Sequence, residues 1–278
     1  MLDRIHFSKS NAAKLLNESL LDIGFAILSE PPIEEQLIQD TYKGWTDFFA
    51  SESRFDFLFD EKIQAGYVSL SRSETAKGYA IKDLKEYYAY REGLICPRST
   101  LEHTHVLYEQ MIDLAMLLFS WIDEHMPQAA REQLPQSLLS MVQDSHEHVL
   151  RIIHYPPLTG QETPGALRAA PHEDINLITL LPVSTAPGLQ VKDRKGKWHD
   201  VHCQSGDIVV NVAEMLELAT NGYYYAGTHQ VINPPDESSK KPRYSMPFFL
   251  HPKKEAYLKP GKSSWDFLQQ RLQELGLI

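Results

Sequence analysis

The stretch that most limits what this chain can fold into runs from Pro171 to Leu181, Pro-His-Glu-Asp-Ile-Asn-Leu-Ile-Thr-Leu-Leu. It sets His172 and Asp174 two residues apart at the head of an apolar run rich in β-formers. On a strand, residues i and i+2 share a face, so both ligand-type side chains point into one cavity while Glu173 points away. Alone the triplet is a weak signal. The chain holds 12 histidines, and a surface histidine beside surface acids is commonplace.

Two later runs give the triplet its context. Thr220 to Pro234 is an irregular, glycine-containing segment that leads into His229. Arg243-Tyr-Ser-Met-Pro-Phe-Phe-Leu-His-Pro252 places Arg243 and Ser245 on one face of another apolar strand. Two histidines and one carboxylate, with no fourth protein ligand, suit a non-haem Fe(II) site that keeps positions open. An arginine with a hydroxyl beside it supplies what a buried carboxylate ligand needs: a fixed charge, a forked donor and one further hydrogen bond.

On these residues the chain resembles the isopenicillin N synthase-like family of Fe(II)/2-oxoglutarate-dependent dioxygenases. The resemblance runs from about Gly24 to Pro252. It is carried in order by His172-Glu-Asp174, Thr179-Leu-Leu181, Gly188-Leu-Gln-Val191, Trp198, Val209-Val-Asn211, Asn221-Gly222, His229 and Arg243-x-Ser245. It implies His172, Asp174 and His229 as iron ligands, with Arg243 and Ser245 holding the distal carboxylate of 2-oxoglutarate. Tyr155 stands where the family often has a tyrosine that helps this carboxylate. The implied cofactors are Fe(II), 2-oxoglutarate as cosubstrate and O2, with ascorbate as a possible reductant.

The sequence departs from the family pattern at several places. Glu173 replaces the usual threonine, and Asn176 the glycine two beyond the aspartate. Asn211-Val-Ala-Glu214 replaces Asn-x-Gly-Asp, and Tyr225 and Gln230 stand where basic residues are common. Ile153 occupies a place that is polar in some members. None of these removes a ligand, and they bear on cosubstrate orientation and substrate class. The expected activity is oxidation, by default hydroxylation, of a small organic metabolite with release of succinate and CO2. Desaturation and ring closure are open outcomes. The alternatives are a 2-oxoglutarate-independent iron oxidase of the same family, which shares the Arg-x-Ser motif, and a catalytically dead ligand-binding member.

Composition bounds the rest. The 278 residues are 42% hydrophobic and 23% charged, ordinary for a globular chain with ample core. A formal net charge of −10, from 37 acids against 27 bases, argues against a phosphate-backbone binder. Cys96 and Cys203 lie far apart without ligand spacing and read as reduced thiols of a cytoplasmic protein. No segment approaches 18 consecutive apolar residues, and neither a signal peptide nor a membrane partner is expected. The expected partner is a small-molecule substrate, and the expected state a monomer or weak oligomer.

The expected fold is mostly β with flanking helices. A double-stranded β-helix (jelly roll) core occupies 146–253, after a helix-rich N-terminal region over 1–145 and before a C-terminal helix within 254–278. Apolar spacing predicts helices over 8–21, 33–49 and 101–125, and a further one over 129–142 despite Pro135. Phe25 to Leu28 reads as a strand, as does Val149 to Tyr155, closed by Pro156-Pro157. Short strands then recur to Arg243, with a hairpin turning at Asp193 to Gly196, and a last helix covers 264–275.

Other histidines compete for the ligand role. His103 and His105 lie two apart on a helix and do not share a face. His146 and His148 precede a strand with no arginine motif organised around them, and His199 and His202 flank a hairpin. Asn211 is expected to support the metal strand rather than to touch a ligand.

Overall fold

The computed structural model describes residues 2–75 and 78–274. Its chain begins with β1 (Arg4–His6), α1 (Ala12–Ile23), β2 (Phe25–Ser29) and α2 (Glu35–Ala50). Gly24 closes α1 in the left-handed conformation, with its N–H returned to the Leu20 carbonyl, a cap that glycine makes without Cβ strain. Strands β3 (Gly66–Val68) and β4 (Glu86–Tyr90) precede the long α3 (Arg98–His125).

The helix expected over 129–142 is not one piece. Two short helices, α4 (Gln128–Arg131) and α5 (Leu138–Val142), lie either side of Pro135. Proline lacks the N–H that a continuous helix needs, and Ser137 instead starts α5 afresh by accepting a hydrogen bond from the Ser140 N–H.

The strands that follow are β5 (Val149–Tyr155), β6 (Ala169–His172), β7 (Ile178–Pro182), β8 (Leu189–Lys192), β9 (Trp198–Asp200) and β10 (Ile208–Val212). Then come α6 (Glu214–Ala219), β11 (His229–Val231), β12 (Arg243–Ser245), β13 (Phe248–Leu250) and α7 (Ser264–Glu274). The short α6 is absent from the sequence reading. The last helix is found over 264–274, and 275–278, which include its expected final residue, lie outside the described residues. Pro247 divides the run after Arg243 into β12 and β13, both paired with β5.

A nine-stranded sheet runs β1-β2-β10-β7-β13-β5-β4-β3, with β12 also on β5, and a four-stranded sheet runs β6-β11-β8-β9. Together they form the double-stranded β-helix. Side-chain alternation divides the large sheet between two cores. Phe25, Ile27, Val149, Ile153, Tyr155 and Val209 face the small sheet, whose Ala169, Leu189, Val191 and Val231 meet them. Ala26, Leu28, Leu150, Ile152, Ile208 and Val210 face the other way, onto α1, α2 and α3. Both faces are covered, which is why these strands read as near-continuous apolar runs. Arg4 fixes the first strand to the sheet end through a forked pair with Asp207, at 2.8 and 2.7 Å. No helix among the described residues is long and apolar enough to cross a membrane.

Candidate active site

His172 and Asp174 do not lie on one strand, contrary to the alternation expected for them. β6 ends at His172, and β7 begins at Ile178 in the other sheet. Between them Asn176 shapes the bend, donating to the Ile178 carbonyl at 2.6 Å. The bend, rather than a shared strand face, aims both side chains at one point. His229 arrives from the start of β11, paired in register with His172. Nε2 of His172 lies 4.0 Å from Asp174 Oδ1, and Nε2 of His229 lies 3.8 Å from the same oxygen. Such separations are too long for hydrogen bonds. They fall within twice a metal–ligand bond of about 2.1 Å, so the three residues can hold one metal ion.

The atoms behind the triad fix its orientation. Nδ1 of His172 faces the Ala170 carbonyl at 2.7 Å, and Nδ1 of His229 faces the Gly227 carbonyl at 3.1 Å. Each carbonyl requires Nδ1–H, so each Nε2 keeps its lone pair for the cavity. Asp174 Oδ2 accepts from the Thr179 hydroxyl at 2.6 Å and from Asn211 Nδ2 at 2.9 Å, leaving Oδ1 to the histidines. Asn211 therefore touches a triad residue directly, where the sequence pointed only to support of the strand. Burial first, and the neighbouring His229 second, push the His172 pKa down to about 3, so its ring is neutral at ordinary pH. Burial alone would raise the Asp174 pKa. The two imidazoles and the Thr179 and Asn211 hydrogen bonds outweigh it and hold the carboxylate below its usual range.

Gly227 has its own reason to lack a side chain. A Cβ there would lie 2.2 Å from the Phe25 ring, which packs edge-on against His229 with centroids 5.6 Å apart. Glu173 accepts from the Thr228 hydroxyl at 2.5 Å, at the edge of the same cavity.

The triad opens on a cavity of about 630 Å³. Arg243, Ser245 and Tyr155 line one end. Arg243 and Ser245 are both buried, and Arg243 sits opposite Tyr155 in register, its guanidinium over the ring at 4.9 Å. Nε of Arg243 donates to the Ala186 carbonyl at 3.0 Å and Nη2 to the Ser184 hydroxyl at 2.8 Å. Nη1 is buried with no partner among the described residues. Arg168, wholly buried just before β6, leaves Nε and Nη1 equally unpaired, and burial followed by repulsion from Arg243 lowers its pKa. Two interior cations therefore stand without a carboxylate partner among the described residues, a costly arrangement unless an anion joins them.

The N-terminal region also lines the cavity, through residues that the sequence did not single out. Glu74, Asp83 and Lys85, on the approach to β4, form a cluster with Arg151 of β5 that runs along the cavity wall from the level of Tyr155, beside which Lys85 stands, to that of Arg151. Lys85 Nζ lies 2.8 Å from Asp83 Oδ2 and 3.7 Å from Glu74 Oε2, and Arg151 Nη1 donates to Glu74 Oε2 at 3.2 Å. The Tyr87 hydroxyl donates to Glu74 Oε1 at 2.8 Å. Burial opposes the charge on Glu74, but Arg151, Lys85 and Tyr87 together hold its pKa to about 2. The sequence signal was faint: isolated charges in a loop and one arginine within an apolar strand, each typical of a solvated face.

The rival histidines stay apart from this cavity. His199 pairs with Asp193 in its hairpin at 2.8 Å, and His148 Nδ1 accepts from the His251 N–H. His105 joins Glu92 and Glu109 in a surface group, exposed apart from the histidine.

Residues 146–252 match the model of the 2OG-Fe(II) oxygenase superfamily. A candidate oxygenase from Shewanella oneidensis has a crystal structure 38% identical to this chain, with a TM-score of 0.88 over 100% of this chain and 99% of that one. The 2-oxoglutarate-dependent dioxygenase frbJ of Dothideomycetidae sp. is 36% identical over 257 residues, 84% of this chain and 67% of that protein. A 2-oxoglutarate-Fe(II) type oxidoreductase of Aspergillus fumigatus is 40% identical over 102 residues, 36% of this chain and only 29% of the relative's length.

Proposed function

The chain belongs to the 2OG-Fe(II) oxygenase superfamily, and from that premise we propose that it oxidises a small organic molecule with 2-oxoglutarate and O2 as cosubstrates. In this reading His172, Asp174 and His229 hold Fe(II), and Arg243 with Ser245 and Tyr155 takes the far carboxylate of 2-oxoglutarate. The observation that carries it is the pairing of two features in one cavity. Three ligand atoms converge with their open side facing inward, and a buried guanidinium keeps an idle donor.

Bound iron supplies the coupling of O2 reduction to decarboxylation of 2-oxoglutarate and oxidation of the substrate. The protein's part is orientation and exclusion of water. Neutral His172 and ionised Asp174 present lone pairs without a prior proton loss. Ala186 and Ser184 lock two edges of Arg243, so Nη1 has one direction left in which to meet a carboxylate. Phe25, Leu189, Val209 and Val231 form an apolar wall that keeps bulk water from the reacting groups.

The test is succinate release from 2-oxoglutarate by protein supplied with Fe(II), with and without O2. The expected result is oxygen-dependent succinate that His172→Ala abolishes. Well-metallated protein that binds no 2-oxoglutarate and releases no succinate overturns the reading in favour of a 2-oxoglutarate-independent oxidase.

A further inference from the structure

The strand β5 carries four cavity-lining residues on one face, Val149, Arg151, Ile153 and Tyr155. Arg151 and Tyr155 are four residues apart, which separates their Cα atoms by about 13 Å at a strand rise of about 3.3 Å per residue. Tyr155 marks the Arg243 end of the cavity. Arg151 marks the other, with the apolar side chains of Val149, Ile153, Leu181 and Phe249 along the wall.

Arg151 is held as a recognition group is held. Its guanidinium lies 4.3 Å from the Tyr87 ring and 5.5 Å from the Phe249 ring. Its Nη1 is fixed by Glu74, which Tyr87 and Lys85 fix in turn. The edge formed by Nε and Nη2 is idle: Nε is buried without a partner among the described residues, and Nη2 makes no hydrogen bond to them. That edge is the side-on fork with which Arg4 grips Asp207 in this same molecule. Four further cavity cations are engaged, Arg271 among them with Glu214. Arg91 and Lys254 both reach Glu147, and Arg72 reaches Glu61.

Charge favours the same conclusion. The described residues lining the cavity include eight arginines and lysines against six carboxylates, although the whole chain has a net charge of −10. Arg271 is paired with Glu214, which lies outside the lining. With that pair set aside, and Fe(II) and the 2-oxoglutarate dianion cancelling one another, the filled site keeps one positive charge in excess.

We infer that Arg151 is the specificity-determining anchor for a carboxylate on the oxidised substrate, which is therefore a small organic acid with an apolar body. The inference rests on the oxygenase reading and adds the substrate class. The acid's carboxylate lies side-on against Nε and Nη2 of Arg151, and its apolar part extends along Ile153 and Phe249 toward the iron. A planar fork matched to a carboxylate is poorly replaced by lysine and not at all by glutamine.

The experiment uses full-length protein loaded with Mn(II) and 2-oxoglutarate, which binds without turnover. 3-Phenylpropanoate, hexanoate and N-acetylphenylalanine are each titrated beside their primary amides, with melting temperature and dissociation constant as readouts. The Fe(II) protein is then assayed for acid-stimulated succinate. At least one acid is expected to bind roughly 10- to 100-fold more tightly than its amide, the range of a lost charge-assisted pair. Arg151→Gln weakens the acid more than its amide and so removes that advantage, while Arg151→Lys recovers a part of it. Three results overturn the inference alone: no acid binding, acid and amide binding alike, or Arg151→Gln weakening both equally. Failure of the wild type to bind 2-oxoglutarate overturns the oxygenase reading itself.

Discussion

Arg243 and Arg151 enter one cavity from adjoining antiparallel strands, yet they are held in opposite ways. Arg243 is buried, fixed by a carbonyl, a hydroxyl and an aromatic ring, and has no carboxylate beside it among the described residues. Arg151 is fixed by Glu74 within a network that also holds Lys85 and Asp83. The first arrangement leaves a charge for a ligand to complete. The second is already partnered and offers one free edge, a forked cationic donor that still favours a carboxylate over its amide. On the proposed reading, cosubstrate and substrate would share the cavity without exchanging places: the dianion would go to the end that lacks an anion, and the substrate's carboxylate to the free edge of Arg151.

The largest effect expected tests what the two ends have in common. His172→Ala removes one of three ligands and leaves no replacement nearby. It is expected to weaken Mn(II) or Fe(II) binding by on the order of 100-fold or more and to abolish succinate release. Equilibrium dialysis against Mn(II) reads the first directly. Equal metal affinity in variant and wild type would dismiss the triad, and with it the reason to compare the ends.

Next in size is the contrast between the arginines. Arg243→Met is expected to weaken 2-oxoglutarate binding by about 100-fold, through loss of a buried charge-assisted pair. It should leave the melting temperature of ligand-free protein unchanged or raised, because an uncompensated interior charge has gone. Arg151→Met is expected to do the reverse. It strands Glu74 with only Lys85 and Tyr87, and costs about 2 kcal/mol of stability, the partial exposure of the pair keeping the loss below that of a fully buried one. Thermal unfolding of both variants with and without 2-oxoglutarate decides the matter. A destabilised Arg243→Met beside an unaffected Arg151→Met would invert the comparison.

The same division explains what could be read from the sequence. The triad and Arg243 occupy short-range patterns, His-x-Asp and Arg-x-Ser, that alternate apolar and polar residues on strands, and the strands themselves follow from β-rich apolar runs. Even there the periodic rule misplaced Asp174, because Asn176 turns the chain before β7 and convergence comes from a bend. Pro135 similarly won over an otherwise helical pattern. The members of the Glu74–Lys85–Arg151 cluster could not be picked out for another reason. They are up to 77 residues apart, and each resembles a solvent-exposed charge until the β4–β5 pairing brings them together. Gly227 was within reach: a glycine two before a candidate ligand histidine marks close backbone approach, here to Phe25. Gly227→Ala is accordingly expected to cost about 1–3 kcal/mol through overpacking and to loosen metal binding by moving His229, as metal-dependent melting would show.

The smallest expected effect concerns pH and separates the ends once more. Glu74 titrates at about 2 in the folded protein, against about 4.3 for a free side chain. A carboxylate depressed by folding contributes stability that is complete well above its unfolded pKa and is lost as pH falls toward the folded value. The unfolded chain takes up the proton first, so the loss runs from about pH 5 down to about pH 2, and for Glu74 it amounts to roughly 1–2 kcal/mol by pH 3. Glu74→Gln should remove that part of the acid slope while lowering stability at pH 7, where wild-type Glu74 pairs with Arg151. Arg243→Met has no such partner to lose and should leave the slope between pH 5 and 3 as in wild type. Urea unfolding at pH 7, 5, 4 and 3 measures all three proteins. If Glu74→Gln keeps the wild-type slope, the carboxylate is not the group that balances Arg151, and the two arginines would have to be explained alike.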